Sequence, residues 1–175
     1  MLYEITRVTT PMYMQRYVEF VLDVYEQLNM PYPFTVSLAF LATPVLMREE
    51  IFLAFDDEHE VVGCFSFIRG TAQENYNNRE IVQLQVIYID PSHRSTRMLL
   101  SFMQMFVEFV SYSEEPAHEL QFWCKQDPRI RSLIAKHFRL IPESSDSGYG
   151  KLDYYTIPYS IVQSYINQFP QQQYF

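Results

Sequence analysis

One segment constrains the fold of this chain more than any other: an apolar strand that passes through a short polar loop into an amphipathic helix. The strand ends at Ile87–Ile89, the loop is Asp90–Arg94, and the predicted helix covers 95–112. The first N–H groups of a helix have no partner within it, and the helix dipole adds positive charge at that end. We therefore expect the amides just beyond Pro91 to converge on a pocket able to hold a diphosphate.

The same segment resembles the acyl-CoA-binding motif of the GNAT N-acetyltransferase superfamily, in which a strand ends in hydrophobic-x-Pro-x-(Tyr/His)-Arg. Pro91, His93 and Arg94 match that pattern. The resemblance implies that acetyl-CoA is the co-substrate. Its pantetheine arm would bind the backbone of the strand, and its pyrophosphate would lie over the loop and the helix start. The cofactor-binding residues expected on this basis are Ile87, Tyr88, Ile89, Arg94, Ser95, Thr96, Arg97, Met98 and Leu99.

The chain departs from the family after the arginine. The family continues Gly-x-Gly-x-Gly/Ala, whereas this chain continues with 95–99 and contains no glycine there. Glycine permits close approach of a ligand to the backbone, and Ser95 or Thr96 would instead cap the helix. Arg97 replaces the second glycine and Leu99 the third small residue. A long side chain at Arg97 either holds a phosphate or blocks its site, and the sequence leaves both alternatives open.

The spacing of apolar residues predicts the element order β-α-α-β-β-β-α-β-α-β(-β)-α. Strands are predicted at 2–8, 50–55, 61–68, 79–89, 119–125, 139–141 and 151–157, and helices at 11–29, 35–48, 95–112, 128–137 and 159–169. Residues 144–150 are predicted to form a loop. This is the order of elements in the GNAT fold, and the motif follows the fourth strand, as it does there. The predicted fold class is α+β or α/β: one GNAT-like domain over 1–169, with a mixed, mostly antiparallel sheet flanked by helices on both faces, and a flexible tail over 170–175.

The composition narrows the functional classes. A chain of 175 residues with 48% hydrophobic residues can bury a substantial core. Its net charge of −8 disfavours binding to nucleic acid, because phosphate contacts need basic residues. No apolar run reaches the roughly 20 residues of a membrane span, and the first residues lack the features of a signal peptide. A soluble, cytoplasmic protein is expected, with Cys64 and Cys124 as buried, inert thiols.

Candidates for the chemistry are sparse. Strand alternation predicts that Gln83 and Gln85 share a face with Ile87 and Ile89, where a catalytic carboxylate would be useful. Glutamine can hold a substrate or a water molecule but accepts no proton at neutral pH, and the nearest acid is Glu80. The histidines show no metal-ligand spacing, so no metal site is predicted.

The later part of the family signature is also incomplete. By resemblance, a tyrosine near the start of the helix over 128–137 would protonate the departing thiolate, but Leu133 stands at that position. Near the same helix start, Lys125, Arg129 and Arg131 are either complementary to CoA phosphates or part of a solvated helix face.

Two functional hypotheses follow. The first is an acyl-CoA-dependent N-acyltransferase that acetylates a small-molecule or protein amine by direct attack on the thioester. The second is a catalytically inactive GNAT-like fold used as an interaction or structural protein, for example in a phage particle, with a homo-oligomer or another assembly as its setting. An open gap between strands 79–89 and 119–125, unfilled by Arg97 or Trp123, would favour the first.

Overall fold

The computed structural model describes residues 3–94 and 96–170, and for Thr96 the backbone alone. The strands are β1 (Glu4–Arg7), β2 (Glu50–Phe55), β3 (Val61–Arg69), β4 (Ile81–Ile89), β5 (Glu119–Lys125), β6 (Glu143–Asp146) and β7 (Lys151–Pro158). The helices are α1 (Pro11–Asp23), α2 (Tyr25–Leu28), α3 (Phe34–Leu46), α4 (Thr96–Tyr112), α5 (Pro128–Phe138) and α6 (Tyr159–Ile166). Short 3₁₀ turns cover Ala72–Glu74 and Pro91–His93.

Local sequence explains the helix boundaries between β1 and β2. Thr10 caps α1, its hydroxyl accepting a hydrogen bond from the backbone N–H of Tyr13 at 3.4 Å, and Pro11 occupies the first turn. The predicted helix over 11–29 is divided at Val24, where the backbone leaves helical geometry. Pro44 lies inside α3, close enough to its end that the helix continues only to Leu46.

The described strands form one sheet in the order β1-β2-β3-β4-β5-β7-β6. Neighbouring strands are antiparallel except β4 and β5, which are parallel. The sheet therefore consists of two antiparallel halves, β1–β4 and β5–β7, that meet along a single parallel contact. The crossover between those two strands is α4, as parallel pairing requires.

Each face of the sheet carries its own apolar core. Helices α4, α5 and α6 cover one face, with Met98, Phe102 and Phe106 of α4 completely buried against it. Helices α1 and α3 cover the other face, where Tyr17 and Leu41 are buried. These are called below the α4 side and the α1/α3 side.

A β-bulge interrupts β4. Strand β3 pairs regularly with β4 except at one point, where Ser66 pairs with Val86 but the next residue, Phe67, pairs with Leu84. Gln85 is therefore an extra residue in β4.

The bulge changes which residues of β4 share a face. Val82 lies in the core on the α4 side, whereas Tyr88, six residues later, lies in the core on the α1/α3 side. Ile89 packs on the α4 side, and Ile87, two residues earlier, shares that side. Gln83 alternates with Val82 and so lies on the α1/α3 side. The prediction that Gln83 shares a face with Ile87 and Ile89 is wrong, because the extra residue reverses the alternation.

Most of the predicted elements are confirmed, including the order, the mixed sheet and its helix-covered faces. Two predictions at the C-terminal end are wrong. Residues 139–141 are not a strand, because Arg139 ends α5 in the left-handed region with φ 55°. The strand lies instead at β6, within the predicted loop, and all four of its residues are exposed.

Two further predictions need correction or fall outside the description. At the start of α4, Met98 is completely buried and Leu99 is 36% exposed. Strand β4 begins at Ile81 rather than at residue 79. Of the predicted tail over 170–175, residues 171–175 lie outside the described residues. None of the described helices combines the length and the apolar character needed to cross a membrane.

Candidate functional site

A gap opens between the two parallel strands in the middle of the sheet. β4 and β5 pair only at Ile81–Gln83 with Glu119–Gln121. Beyond these pairs the strands diverge, and Leu84–Ile89 has no strand partner on the β5 side within the described residues. Ile87 is 38% exposed although it belongs to an interior strand. An exposed apolar side chain at this place indicates that the gap is open on the α4 side.

The hydrogen bonds of β4 show which of its backbone groups face the gap. The N–H of Asp90 donates to the carbonyl of Val62 at 2.8 Å, so Asp90 points its backbone groups towards β3. Backbone groups alternate along a strand, so those of Tyr88 also point towards β3. The N–H and carbonyl groups of Ile87 and Ile89 point the other way, into the gap.

The loop after β4 does not present its amides to a ligand. The N–H of Ser92 donates to Asp90 Oδ1 at 2.9 Å, that of His93 to the Asp90 carbonyl at 2.9 Å, and that of Arg94 to the Pro91 carbonyl at 3.5 Å. The expectation that the amides just beyond Pro91 converge on a diphosphate pocket is wrong for these three residues, because an Asx turn at Asp90 uses them.

The beginning of α4 remains as the candidate for anion binding. In the first turn of a helix the N–H groups, here that of Arg97, have no acceptor within the helix. The Arg97 side chain is exposed, whereas the Met98 side chain is completely buried. Leu99 is partly exposed beside them. Ser95 and the side chain of Thr96, both predicted to bind the cofactor, lie outside the described residues.

Arg94 stabilises the end of β4. Its Nε donates to the carbonyl of Ile89 at 3.0 Å, and its guanidinium lies 6.0 Å from the centre of the Tyr88 ring. The Tyr88 hydroxyl in turn donates to Gln27 Oε1 of α2. The side chain of Tyr88 therefore belongs to the α1/α3 side, and Arg94 already occupies one of the backbone acceptors predicted for pantetheine. Arg97 is the more available cation.

A chain of polar side chains lies at the closed end of the gap. Gln83 Nε2 donates to Gln121 Oε1 at 3.4 Å, and Gln121 Nε2 donates to Glu119 Oε1 at 2.5 Å. Glu119 and Gln121 lie on the same side of β5, which is the α1/α3 side, where Gln83 lies. The chain starts at Gln83 and Gln121, where the strands separate, and ends at the carboxylate of Glu119, which pairs two residues further from the gap. The sequence analysis missed this carboxylate because it considered only β4.

The other two catalytic candidates are placed differently. Gln85, at the bulge, is 9% exposed, and its side-chain amide makes no hydrogen bond to any described residue. It is therefore free to bind a ligand or a water molecule. Glu80 precedes β4, and its carbonyl accepts hydrogen bonds from the N–H groups of His118 and Glu119. Its backbone thus helps to join β4 to the residues before β5, at the end of the sheet opposite the gap.

Trp123 does not fill the gap. Its indole ring lies on the α1/α3 side, with its centre 5.8 Å from that of Phe40 on α3 and 6.0 Å from that of Tyr154 on β7. Lys125, two residues further along β5, donates from Nζ to Asn29 Oδ1 at 3.0 Å. Trp123 therefore does not lie between the strands, and the Arg97 side chain is exposed on the first turn of α4.

The basic residues predicted near the start of α5 have two different environments. Arg131 forms an ion pair with Asp153, a completely buried carboxylate that also accepts from Ser144 and Gln126. These hydrogen bonds, chiefly those from Arg131, lower the pKa of Asp153. Arg131 therefore attaches α5 to β7 and is unavailable to CoA.

Arg129 lies on the opposite, exposed face of α5, in a shallow groove of about 450 Å³ with Ser132, Leu133 and Lys136. Leu133, at the position where the resemblance would place a proton-donating tyrosine, provides no proton.

The two thiols take no part in this chemistry. Burial raises the pKa of Cys64 to about 12 and that of Cys124 to about 11. Both cysteines are free and remain protonated at neutral pH, so neither supplies a thiolate nucleophile. The expectation of inert thiols agrees with this, although Cys124 is only half buried.

Solved structures with the same fold are acetyltransferases. A GNAT-family acetyltransferase from Staphylococcus aureus Mu50 superposes with a TM-score of 0.56 over 87% of this chain and 98% of its own, at 11% identity. A putative acetyltransferase from Acinetobacter baylyi ADP1 gives a TM-score of 0.62 over 90% and 93%, at 13% identity. Spermidine N-acetyltransferase from Vibrio cholerae, solved with CoA and spermine, gives 0.57 over 91% and 98%, at 13% identity.

Sequence comparison adds nothing to this. No protein-family model matches the chain, and no curated protein matches it. The structural likeness extends over nearly the whole length of both partners. The chain therefore has the fold of the GNAT acetyltransferases.

Proposed function

We propose that this protein is an acyl-CoA-dependent N-acyltransferase that transfers an acetyl group from acetyl-CoA to an amine. The observation that carries the proposal is the gap between β4 and β5, with the backbone N–H and carbonyl of Ile87 and the N–H of Ile89 directed into it. The pantetheine arm of CoA is an extended chain with two amides, so it can take the place of the missing strand beside β4. The acetyltransferase neighbours with the same fold support this assignment.

The diphosphate of CoA is assigned to the start of α4. Because the loop amides of 92–94 are used internally, the binding groups are the backbone N–H and the guanidinium of Arg97. The helix dipole favours an anion there. Arg97 thus acts as the phosphate-holding residue, the first of the two alternatives that the sequence left open.

Transfer proceeds by direct attack of the amine on the thioester. Glu119, whose carboxylate accepts a hydrogen bond from Gln121, is placed to receive, directly or through a water molecule, the proton that a protonated amine must lose before it reacts. The two glutamines position groups and carry no proton. The neutral amine nitrogen then attacks the thioester carbon, a C–N bond forms and the C–S bond breaks. CoA leaves as a thiolate, and the proton released by the nitrogen converts it to the free thiol, giving the amide and CoA.

The test has two stages. Calorimetric titration and thermal melts with acetyl-CoA should show saturable binding and a higher melting temperature, with desulfo-CoA binding comparably because it keeps the diphosphate and pantetheine. Release of free thiol in the presence of a panel of amines should then show turnover. The absence of both heat and thermal shift at millimolar acetyl-CoA would remove the proposal.

A second candidate function has its own support. The amides of Ser92, His93 and Arg94 are used internally, and Asp90, whose pKa is lowered chiefly by the hydrogen bond from Ser92, carries a negative charge in the same loop. Both features oppose anion binding and favour a non-catalytic interaction protein. Binding of acetyl-CoA without turnover of any amine would support this candidate.

A further inference from the structure

The α1/α3 side of β5 carries an aromatic surface beside the gap, formed by Trp123, Phe40 and Tyr154. All three side chains are half buried, and the ring planes of Phe40 and Tyr154 are tilted from that of Trp123 by 53° and 39°. Among the described residues, neither the indole N–H of Trp123 nor the hydroxyl of Tyr154 has a hydrogen-bond partner. The exposed part of each ring and these two donors can therefore contact a ligand.

Polar groups flank this aromatic surface in a fixed order. Glu119, Gln121, Trp123 and Lys125 alternate along one side of β5, at the two-residue spacing that brings neighbouring side chains about 7 Å apart. The carboxylate lies at the closed end of the gap and the ammonium at its open end, held there by Asn29. From the open end of the gap to its closed end, a molecule bound along this side contacts the Lys125 ammonium, then the aromatic rings, then the Gln121 amide and the Glu119 carboxylate.

This order selects among amines. An ammonium group is attracted by a carboxylate and by the faces of aromatic rings. A second cation on the same molecule, as in a polyamine, would lie towards Lys125 and be repelled by it. A flat, apolar group is favoured in contact with the ring surfaces, because aromatic pairs gain binding energy beyond that of the area they bury.

We propose that the acceptor is a monoamine with an aromatic body, such as 2-phenylethylamine, whose ring packs on Trp123 and whose nitrogen points towards Gln121 and Glu119. The inference rests on the proposed function and adds the class of acceptor. It sets this chain apart from the spermidine N-acetyltransferase that shares its fold.

Trp123 is the only tryptophan of the chain, so its fluorescence reports binding without any need for turnover. Titration with 2-phenylethylamine in the presence of desulfo-CoA should change the emission saturably. Spermidine and 2-cyclohexylethylamine, which has the same size but no aromatic ring, should bind about tenfold more weakly. No fluorescence change at 10 mM 2-phenylethylamine, a concentration chosen as roughly a hundred times a KM of order 0.1 mM, would overturn the inference.

Rates of thiol release with the same three amines complete the test. The KM for 2-phenylethylamine should rise about tenfold in Phe40→Leu, with kcat little changed, since this substitution removes one ring of the surface. Phe34→Leu is the matched control, because Phe34 is 51% exposed on the same helix and contacts Tyr25 instead. Equal or faster turnover of spermidine would overturn the inference while leaving the proposed function intact.

The two proposals fail in distinguishable ways. Saturable binding of 2-phenylethylamine without turnover of any amine supports the site and contradicts the transferase. Turnover of other amines with no preference for the aromatic one supports the transferase and contradicts the site.

Discussion

The side-chain amides of Gln83 and Gln121 are hydrogen bonded at 3.4 Å, and they belong to the last residue pair that joins β4 to β5. Beyond this pair β4 has no strand partner on the β5 side within the described residues, so the two glutamines mark the closed end of the gap. The Gln121 amide also donates to Glu119 and so holds that carboxylate on the same side of the sheet.

Replacing Glu119 with glutamine should lower kcat by about a hundredfold, because the acceptor amine loses the group placed to take its proton. The affinity for acetyl-CoA should not change, since Glu119 lies away from the start of α4. Thiol-release kinetics and calorimetry measure the two quantities. Glu143→Gln, an exposed carboxylate on β6, is the control. An unchanged kcat would exclude Glu119 as the base.

Arg97→Ala should weaken acetyl-CoA binding about tenfold, because a charge-assisted hydrogen bond to phosphate is lost, while the melting temperature of the free protein stays the same. Arg94→Ala should instead lower the melting temperature of the free protein, since its guanidinium holds the Ile89 carbonyl. Calorimetry at two salt concentrations, with melts of both variants, gives the comparison. Tighter binding in Arg97→Ala would mean that this side chain obstructs the phosphate site.

Gly63→Ala should destabilise the fold by about 1–3 kcal/mol through overpacking. A Cβ at Gly63 would lie 3.0 Å from the Tyr88 carbonyl oxygen and 3.3 Å from the Met98 sulfur, so both neighbours must shift by a few tenths of an ångström, which strains the contact between α4 and the sheet. Acetyl-CoA affinity should fall together with stability. Chemical denaturation and calorimetry test the coupling, and an unchanged free energy of unfolding would show that α4 adjusts without cost.

Asp153→Asn should reduce the free energy of unfolding by about 2 kcal/mol, because a buried carboxylate with four hydrogen bonds from Arg131, Ser144 and Gln126 loses its charge. In a domain of this length the melting temperature should fall by roughly 4–8 °C. Ser145→Ala, on the same exposed strand β6, is the control. A melting temperature equal to that of the original chain would contradict the structural role of this pair.

Acid should destabilise the folded protein by protonating the carboxylates of Asp153 and Glu115. Hydrogen bonds from Arg131 and Arg79 lower the pKa values of Asp153 and Glu115 in the folded state. Their stabilisation is therefore complete above the unfolded-state values of about 3.9 and 4.3, and is lost as the pH falls through the lower folded values. Melting temperatures between pH 7 and pH 3 should decline steeply below about pH 4, and Asp153→Asn should show a shallower decline.

The sequence predicted those elements whose burial follows a strong period. Strand β5 and helix α4 lie where alternation and helical spacing placed them, and the loop at Pro91 falls between strand and helix as expected. Strand β6 could not be found in this way, because all its residues are exposed and only pairing with β7 makes it a strand. Its sequence carries no apolar pattern.

The bulge at Gln85 escaped prediction for a related reason. A β-bulge adds a residue without changing composition, so the polar alternation of Gln83 and Gln85 looked regular. The capped loop amides did have a signal, since Asp90 followed two residues later by Ser92 is typical of an Asx turn. Reading that signal would have moved the expected anion site from the loop to the first turn of α4.

The division of the sheet into two antiparallel halves has a consequence for how the chain folds. Strands β2, β3 and β4 are consecutive in sequence and pair in that order, and β6 pairs with β7, so these parts can form through local pairings. Joining the halves requires α4 to dock and the parallel contact to form between residues 38 apart in sequence, with only three residue pairs to offset the cost of closing that loop. We expect that docking to be the slow step of folding, and the junction between the halves to be the first part of the sheet to exchange its amide protons.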